Sequence, residues 1–259
     1  MRVLQWKFNR AMRMAASVTD LNDRLNWCNR AFEIIEAMDP WPLSTRAEAI
    51  SIGSLHAMRG QVYLELRARD FASFSRLAIS DLEAATKLLT AEDGTYWSQA
   101  MNLLSIAYCE RVDGNPADNI ELAITTGEAA LSAIDPLHDR GVWIEIMHNL
   151  AGYYESQMSG VPRENKQKAL SILVRAHAMV SFEFDPLEWA TVTASLGQAY
   201  HRCDGNSGDD NETAIKLIES ALPVLLAEAP PEQWAGAMIN LASCYAGRIK
   251  GDLIVNVEQ

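Results

Sequence analysis

The chain has 259 residues, 49% of them hydrophobic, with 34 acidic against 22 basic side chains and a formal net charge of −12. The composition permits a sizeable buried core, and the acidic balance works against nucleic-acid binding, which needs cationic surface to neutralise phosphates. No stretch approaches the ~20 apolar residues of a membrane span, so a cytoplasmic protein with no membrane-spanning segment is expected.

Residues 1–19 contain Arg2, Lys7, Arg10 and Arg13 and no acid. Wound as a helix, Leu4, Phe8, Ala11, Met12 and Ala15 fall together, opposite those charges. Such a helix either covers the first of the units that follow, with its basic face toward an acidic body, or lies on an anionic membrane or acts as a transit sequence. We take residues 1–43 as two capping helices and 44–259 as an array of repeats.

The array is written in several residue types at once. Tyr63, Tyr108, Tyr154, Tyr200 and Tyr245 recur at intervals of 45, 46, 46 and 45 residues. A small residue stands three before each (Gly60, Ser105, Ala151, Gly197, Ala242), and a Trp stands eleven before the last four (Trp97, Trp143, Trp189, Trp234). Downstream come Gly114, Gly160, Gly205 and Gly251, then Asn119, Asn165, Asn211 and Asn256. Self-similarity at this period marks a solenoid, whose units bury their apolar faces only against neighbours.

Each unit reads as two helices. Met101, Leu104 and Tyr108 share one face of a helix A. Gly114-Asn-Pro116 breaks it, and Asp118 or Asn119 is placed to cap the next helix. Helix B follows with Ala123, Ile124, Ala130, Leu131 and Ile134, and is expected to stop near Asp135-Pro136, its sisters near Asp185-Pro186 and Pro230-Pro231. The count is two N-terminal helices, four A–B pairs and a final helix A. Asn256-Val-Glu-Gln259 falls where a further helix B is due, so the last repeat is incomplete. A piece of a longer chain is expected ahead of a degenerate terminus.

Leu196-Gly197 with Tyr200, and Ala214, Ile218 and Ala221, resemble the helix A and helix B signatures of the tetratricopeptide repeat. The resemblance covers about residues 44–259. Its basic unit is about 34 residues, so roughly ten more lengthen helix A and the A–B loop here. Arg111-Val-Asp-Gly114 through Asn119 and Arg248-Ile-Lys-Gly251 through Asn256 look like the long variety found in bacterial arrays joined to CHAT domains, caspase-like cysteine proteases. The resemblance implies an all-α fold, a right-handed α-solenoid of antiparallel helix pairs, with helix A lining the concave surface.

The repeated Tyr and Trp positions are read as packing, because a residue needed in every unit answers a need of every unit. Function belongs where units differ. The variable polar positions of the A helices give a candidate partner-binding face of Asn102, His148, Asn149, Gln198, His201, Arg202 and Asn240. Arg202 is nearly alone as a cation, which argues against gripping a C-terminal carboxylate. An extended peptide held by side-chain amides fits better, since Asn and Gln both donate and accept. Replacing Gln198 and Arg202 by Ala is expected to leave folding nearly intact.

No catalytic constellation is present. Cys28, Cys109, Cys203 and Cys244 form no CxxC, and His56, His138, His148, His177 and His201 form no metal-binding spacing. Cys203 lies near His201 in sequence, but residues two apart on a helix point away from each other. The expectation is a non-enzymatic module without metal or cofactor that binds a protein or peptide as scaffold or sensor. The alternatives are a regulatory region packing in cis on a protease or other effector, and a self-assembling scaffold joined through the uncovered final helix.

Overall fold

The computed structural model describes residues 2–38, 45–203 and 208–248. Among them are eleven α-helices, one 3-10 turn and no strand. In order these are α1 (Arg2–Ser17), α2 (Leu21–Glu36), α3 (Arg46–Leu66), α4 (Phe71–Leu88), α5 (Thr95–Cys109), α6 (Pro116–Ala133), α7 (Arg140–Ser156), α8 (Pro162–His177), α9 (Pro186–Arg202), α10 (Gly208–Glu228) and α11 (Pro231–Ala246). The fold is all-α, of the solenoid class: α1 packs on α2, α3 on α4, α5 on α6, and α9 on α10. The A helices are α3, α5, α7, α9 and α11, each carrying the recurring tyrosine. The expectations at Gly205, Gly251 and Asn256 lie outside the described residues.

The chain forms two compact units, Met1–Trp143 and Ile144–Gln259, divided within α7. In the first, the apolar stripe of α1 is packed away: Phe8, Ala11 and Ala15 share a core with Cys28, Ala31, Ile34 and Met38, and Leu55 of α3 joins it. That shared core is why the N-terminal hairpin and the first repeat belong to one unit. In the second unit Ala190, Ala214, Ile215, Ile218, Ala221, Leu225, Cys244 and Tyr245 form a core that spans α9, α10 and α11.

At Gly60 and Gly197 the small residue before the tyrosine lets helix B approach. A Cβ on Gly60 would stand 2.7 Å from Leu82 Cγ, and one on Gly197 would stand 2.7 Å from Ile218 Cγ1 and 3.0 Å from the Ala214 carbonyl oxygen. Tyr63, Tyr154 and Tyr245 are buried, whereas Tyr108 and Tyr200 are half-buried. Tyr108 Oη donates to Glu83 (2.9 Å) and Tyr245 Oη to Glu219 (2.5 Å), each on the preceding B helix. Buried tyrosines that keep a partner for the hydroxyl are cheap to hold inside.

Asn119 and Asn165 do not cap their B helices. Asn115 caps α6, accepting from the Ala117 N–H, with Pro116 in the first turn. Asn119 is buried and turns back: its Nδ2 donates to the carbonyls of Arg111 (3.2 Å) and Asp113 (3.0 Å). Asn165 does the same to Ser159 (2.8 Å). Both loops pass through a left-handed glycine, Gly114 at φ 89° and Gly160 at φ 76°, which a residue with a Cβ adopts only at a cost. A buried amide closing a loop answers the need for every enclosed carbonyl to find a donor.

Asp185-Pro186 is likewise a start and not a stop. Helix α8 ends at His177, and Asp185 caps α9 by accepting from the Glu188 N–H (2.9 Å). Proline fits the first turn of a helix, where its missing N–H costs nothing.

Candidate functional site

Within each unit, neighbouring helices meet through polar side chains about one repeat apart. In the first unit Arg24 faces Glu65 (3.8 Å) and Arg67 pairs with Glu110 (2.8 Å). In the second, the Glu155 carboxylate of α7 accepts from Gln198 Nε2 (3.1 Å) and Arg202 Nη1 (2.7 Å) of α9. Gln198 Oε1 in turn accepts from Asn240 Nδ2 of α11 (2.6 Å). Much of the polar face that the sequence offers to a partner is therefore spent between neighbouring helices.

Not every candidate stays on that face. Asn102 is 2% exposed, so it packs inside and offers nothing to a partner. His201 Nδ1 bonds Asn211 Oδ1 (3.0 Å), and Asn211 Nδ2 donates to the Cys244 carbonyl (2.8 Å). With the Asn211 amide nitrogen so engaged, its oxygen accepts and His201 donates, which makes His201 part of the packing between α9, α10 and α11. Asn149 is half-buried on α7.

His148, Gln198 and Asn240 are brought together. They line an open cavity of about 190 Å³ in the second unit with Thr191, Ser195 and Gln233, over an apolar floor that includes Leu225 and Ala237. Thr191, Gln233 and Leu225 were not singled out by the sequence. Gln233 could have been found from its place just before the repeat Trp234 on the first turn of α11.

The hydrogen bonds of the cavity fix its polarity. Ser195 Oγ donates to the Thr191 carbonyl (3.0 Å), so the short contact from His148 Nε2 to Ser195 Oγ (2.8 Å) has the imidazole donating. Burial holds His148 below the ordinary histidine range, and the ring is neutral at physiological pH. Apart from the neutral His148, no acidic or basic side chain lines the cavity among the described residues, and Arg202 beside it is neutralised by Glu155. The arrangement can hydrogen-bond a ligand but supplies no charge.

Nucleophilic chemistry finds little support in the thiols. Burial pushes Cys28 and Cys244 up to about 11, which keeps both protonated. Among the described residues no group of His, Cys, Asp or Glu is arranged to hold a metal ion. No described helix is long and apolar enough to cross a membrane.

A second surface stands out on α11. Met238 and Ile239 are 46% and 67% exposed, and Ala242 is exposed. Their counterparts on the other A helices, such as Met147, Ala194 and Ala151, are buried.

No family model matches the chain, and no curated protein matches it. Among solved structures, BtubC (BKLC) from P. vanneervenii is similar, with a TM-score of 0.59 and 19% identity over 98% of this chain and 87% of that one. At that identity the likeness is one of fold.

Proposed function

We propose that this chain is a non-catalytic helical-repeat module of the tetratricopeptide type, binding a protein or an extended peptide on the shared face of its A helices. It serves as the scaffold or sensor part of a cytoplasmic assembly. The observation that carries the reading is the cavity of the second unit, where three successive A helices present His148, Ser195, Gln198 and Asn240 side by side. Repeat proteins bind through such cumulative surfaces, each unit contributing a few side chains. Capture of interactors by the full chain, followed by cross-linking, tests it. Cross-links at Gln198, Gln233 and Asn240 are expected. Cross-links confined to the outward faces of α8 and α10 would overturn the assignment.

A second reading is favoured by the exposed Met238 and Ile239: α11 packs against another body, either a second copy of this chain or an effector domain such as a CHAT-type protease held in cis. Exposed apolar residues at positions buried elsewhere in a repeat mark an interface. Sedimentation across a concentration series checks self-association, with Ile239→Asp expected to abolish any dimer.

A further inference from the structure

A peptide-binding cavity is characterised by what it accepts as well as by where it lies. The cavity of about 190 Å³ far exceeds the ~10–15 Å³ that a single water needs, so it accommodates a group of several heavy atoms. Leu225, Ala194 and Ala237 give it apolar wall, suited to a methylene stem. Its polar atoms are all uncharged, and they supply both kinds of partner. Asn240 Nδ2 donates a hydrogen bond to Gln198 Oε1, which leaves Asn240 Oδ1 with no partner among the described residues and able to accept. Each of the Gln198 and Asn240 amide nitrogens has a second N–H, and the exposed Gln233 amide has both groups.

We propose that this cavity is a subsite for an uncharged primary-amide side chain, glutamine or asparagine, of the bound peptide. The proposal rests on the peptide-binding reading above. A primary amide is planar and both donates and accepts, and it pairs with a second amide through two parallel hydrogen bonds. A carboxylate offers only acceptors, meets Asn240 Oδ1 without a proton, and finds no cation in the lining because Arg202 is held by Glu155. An ammonium finds no acidic side chain there. Burying either charge unpaired costs far more than burying an amide. A site with fixed hydrogen-bond polarity rejects ligands that leave its groups unmet.

Two measurements on the full chain test this. In the first, pools of random nonapeptides with Gln, Asn, Glu, Lys or Ala fixed at the central position are passed over immobilised protein. Retention of the Gln and Asn pools at least fivefold above the Glu and Lys pools is expected, falling to parity in Asn240→Leu. Equal retention of all pools overturns the amide assignment but leaves peptide binding standing, whereas retention of none overturns both. In the second, N-acetylglutamine N-methylamide is titrated at millimolar concentration while the His148 ring and the Asn240 side-chain amide are followed by NMR. Shifts at both with this probe, and not with the glutamate analogue, are expected. Equal shifts with the two probes overturn the proposal without reference to any partner.

Discussion

The guanidinium of Arg59 grips the buried carboxylate of Asp81 from two nitrogens, Nε at 2.6 Å and Nη2 at 2.8 Å. His56 Nδ1 stands 2.8 Å from the same carboxylate, and Arg59 also reaches Asn29 of α2 (3.1 Å) and lies 3.8 Å over the Phe32 ring. One network thus ties α2, α3 and α4. Burial, the largest single influence on Asp81, raises its pKa, but the hydrogen bonds from Arg59 and His56 outweigh it and hold the carboxyl below its ordinary range.

Removing one partner from a buried ion pair leaves the other uncompensated, at a cost of roughly 3–5 kcal/mol. Asp81→Asn is therefore expected to be strongly destabilising and to strip hydrogen-exchange protection from α2, α3 and α4 while sparing α9 to α11. An unchanged urea midpoint would show that the network contributes nothing. Because the folded pKa is depressed, the contribution is present above the unfolded value near 3.9. It is lost as pH falls through the folded value.

Tyr154 is 7% exposed, with Lys168 Nζ 5.1 Å from its ring centroid. Tyr154→Ala is expected to lower stability by about 3–5 kcal/mol, the range for large aromatic truncations. Tyr154→Phe should recover most of it, and urea unfolding distinguishes the two.

Asn119 and Gly114 support the same loop by different means. Asn119→Ala leaves the Arg111 and Asp113 carbonyls without their donor and is expected to cost ~1–3 kcal/mol. Gly114→Ala forces a Cβ into φ 89°, for ~1–2 kcal/mol. A loss at Gly114 as small as that of an ordinary surface change would mean that the loop relaxes to negative φ.

The period carried most of the fold into view. The glycines before Tyr63 and Tyr200 answer the close approach of helix B, seen in Gly197 against Ile218. Asn119 was equally visible, but the cap expected at Asp118 or Asn119 falls at Asn115, since Asn favours both helix caps and loop closure and only the path of the chain decides between them. The polar ladder was hidden because its partners are distant in sequence. Glu155 with Arg202 and Arg67 with Glu110 are nonetheless complementary residues close to one repeat apart, so the period itself was the signal. The burial of Asn102 was not legible, because position along a repeat does not reveal how tightly the next helix covers it.

His148 and His177 are both held below the ordinary histidine range by burial. Unfolded imidazoles therefore bind protons at a pH where the folded ones do not. Stability is complete above about pH 6.5 and declines as pH falls through the folded values. Urea midpoints between pH 8 and 5 should show this decline, and His148→Gln with His177→Gln should flatten it. An equal decline in the double variant would assign the effect elsewhere.

The final prediction revises what the sequence implied for Gln198 and Arg202. Both donate to Glu155, whose side chain is only 12% exposed. Removing both leaves a largely enclosed carboxylate without these donors, so Gln198→Ala with Arg202→Ala is expected to cost ~1–3 kcal/mol rather than behave as a neutral surface change. The loss should be mostly restored by adding Glu155→Gln, which removes the charge that needs them. Loss of partner capture in the double variant cannot then be read as lost contact until stability is matched, and the triple variant supplies that match. If the triple variant folds as well as the parent and binds as tightly, Gln198 and Arg202 act only between helices. If it folds but fails to bind, they also touch the partner.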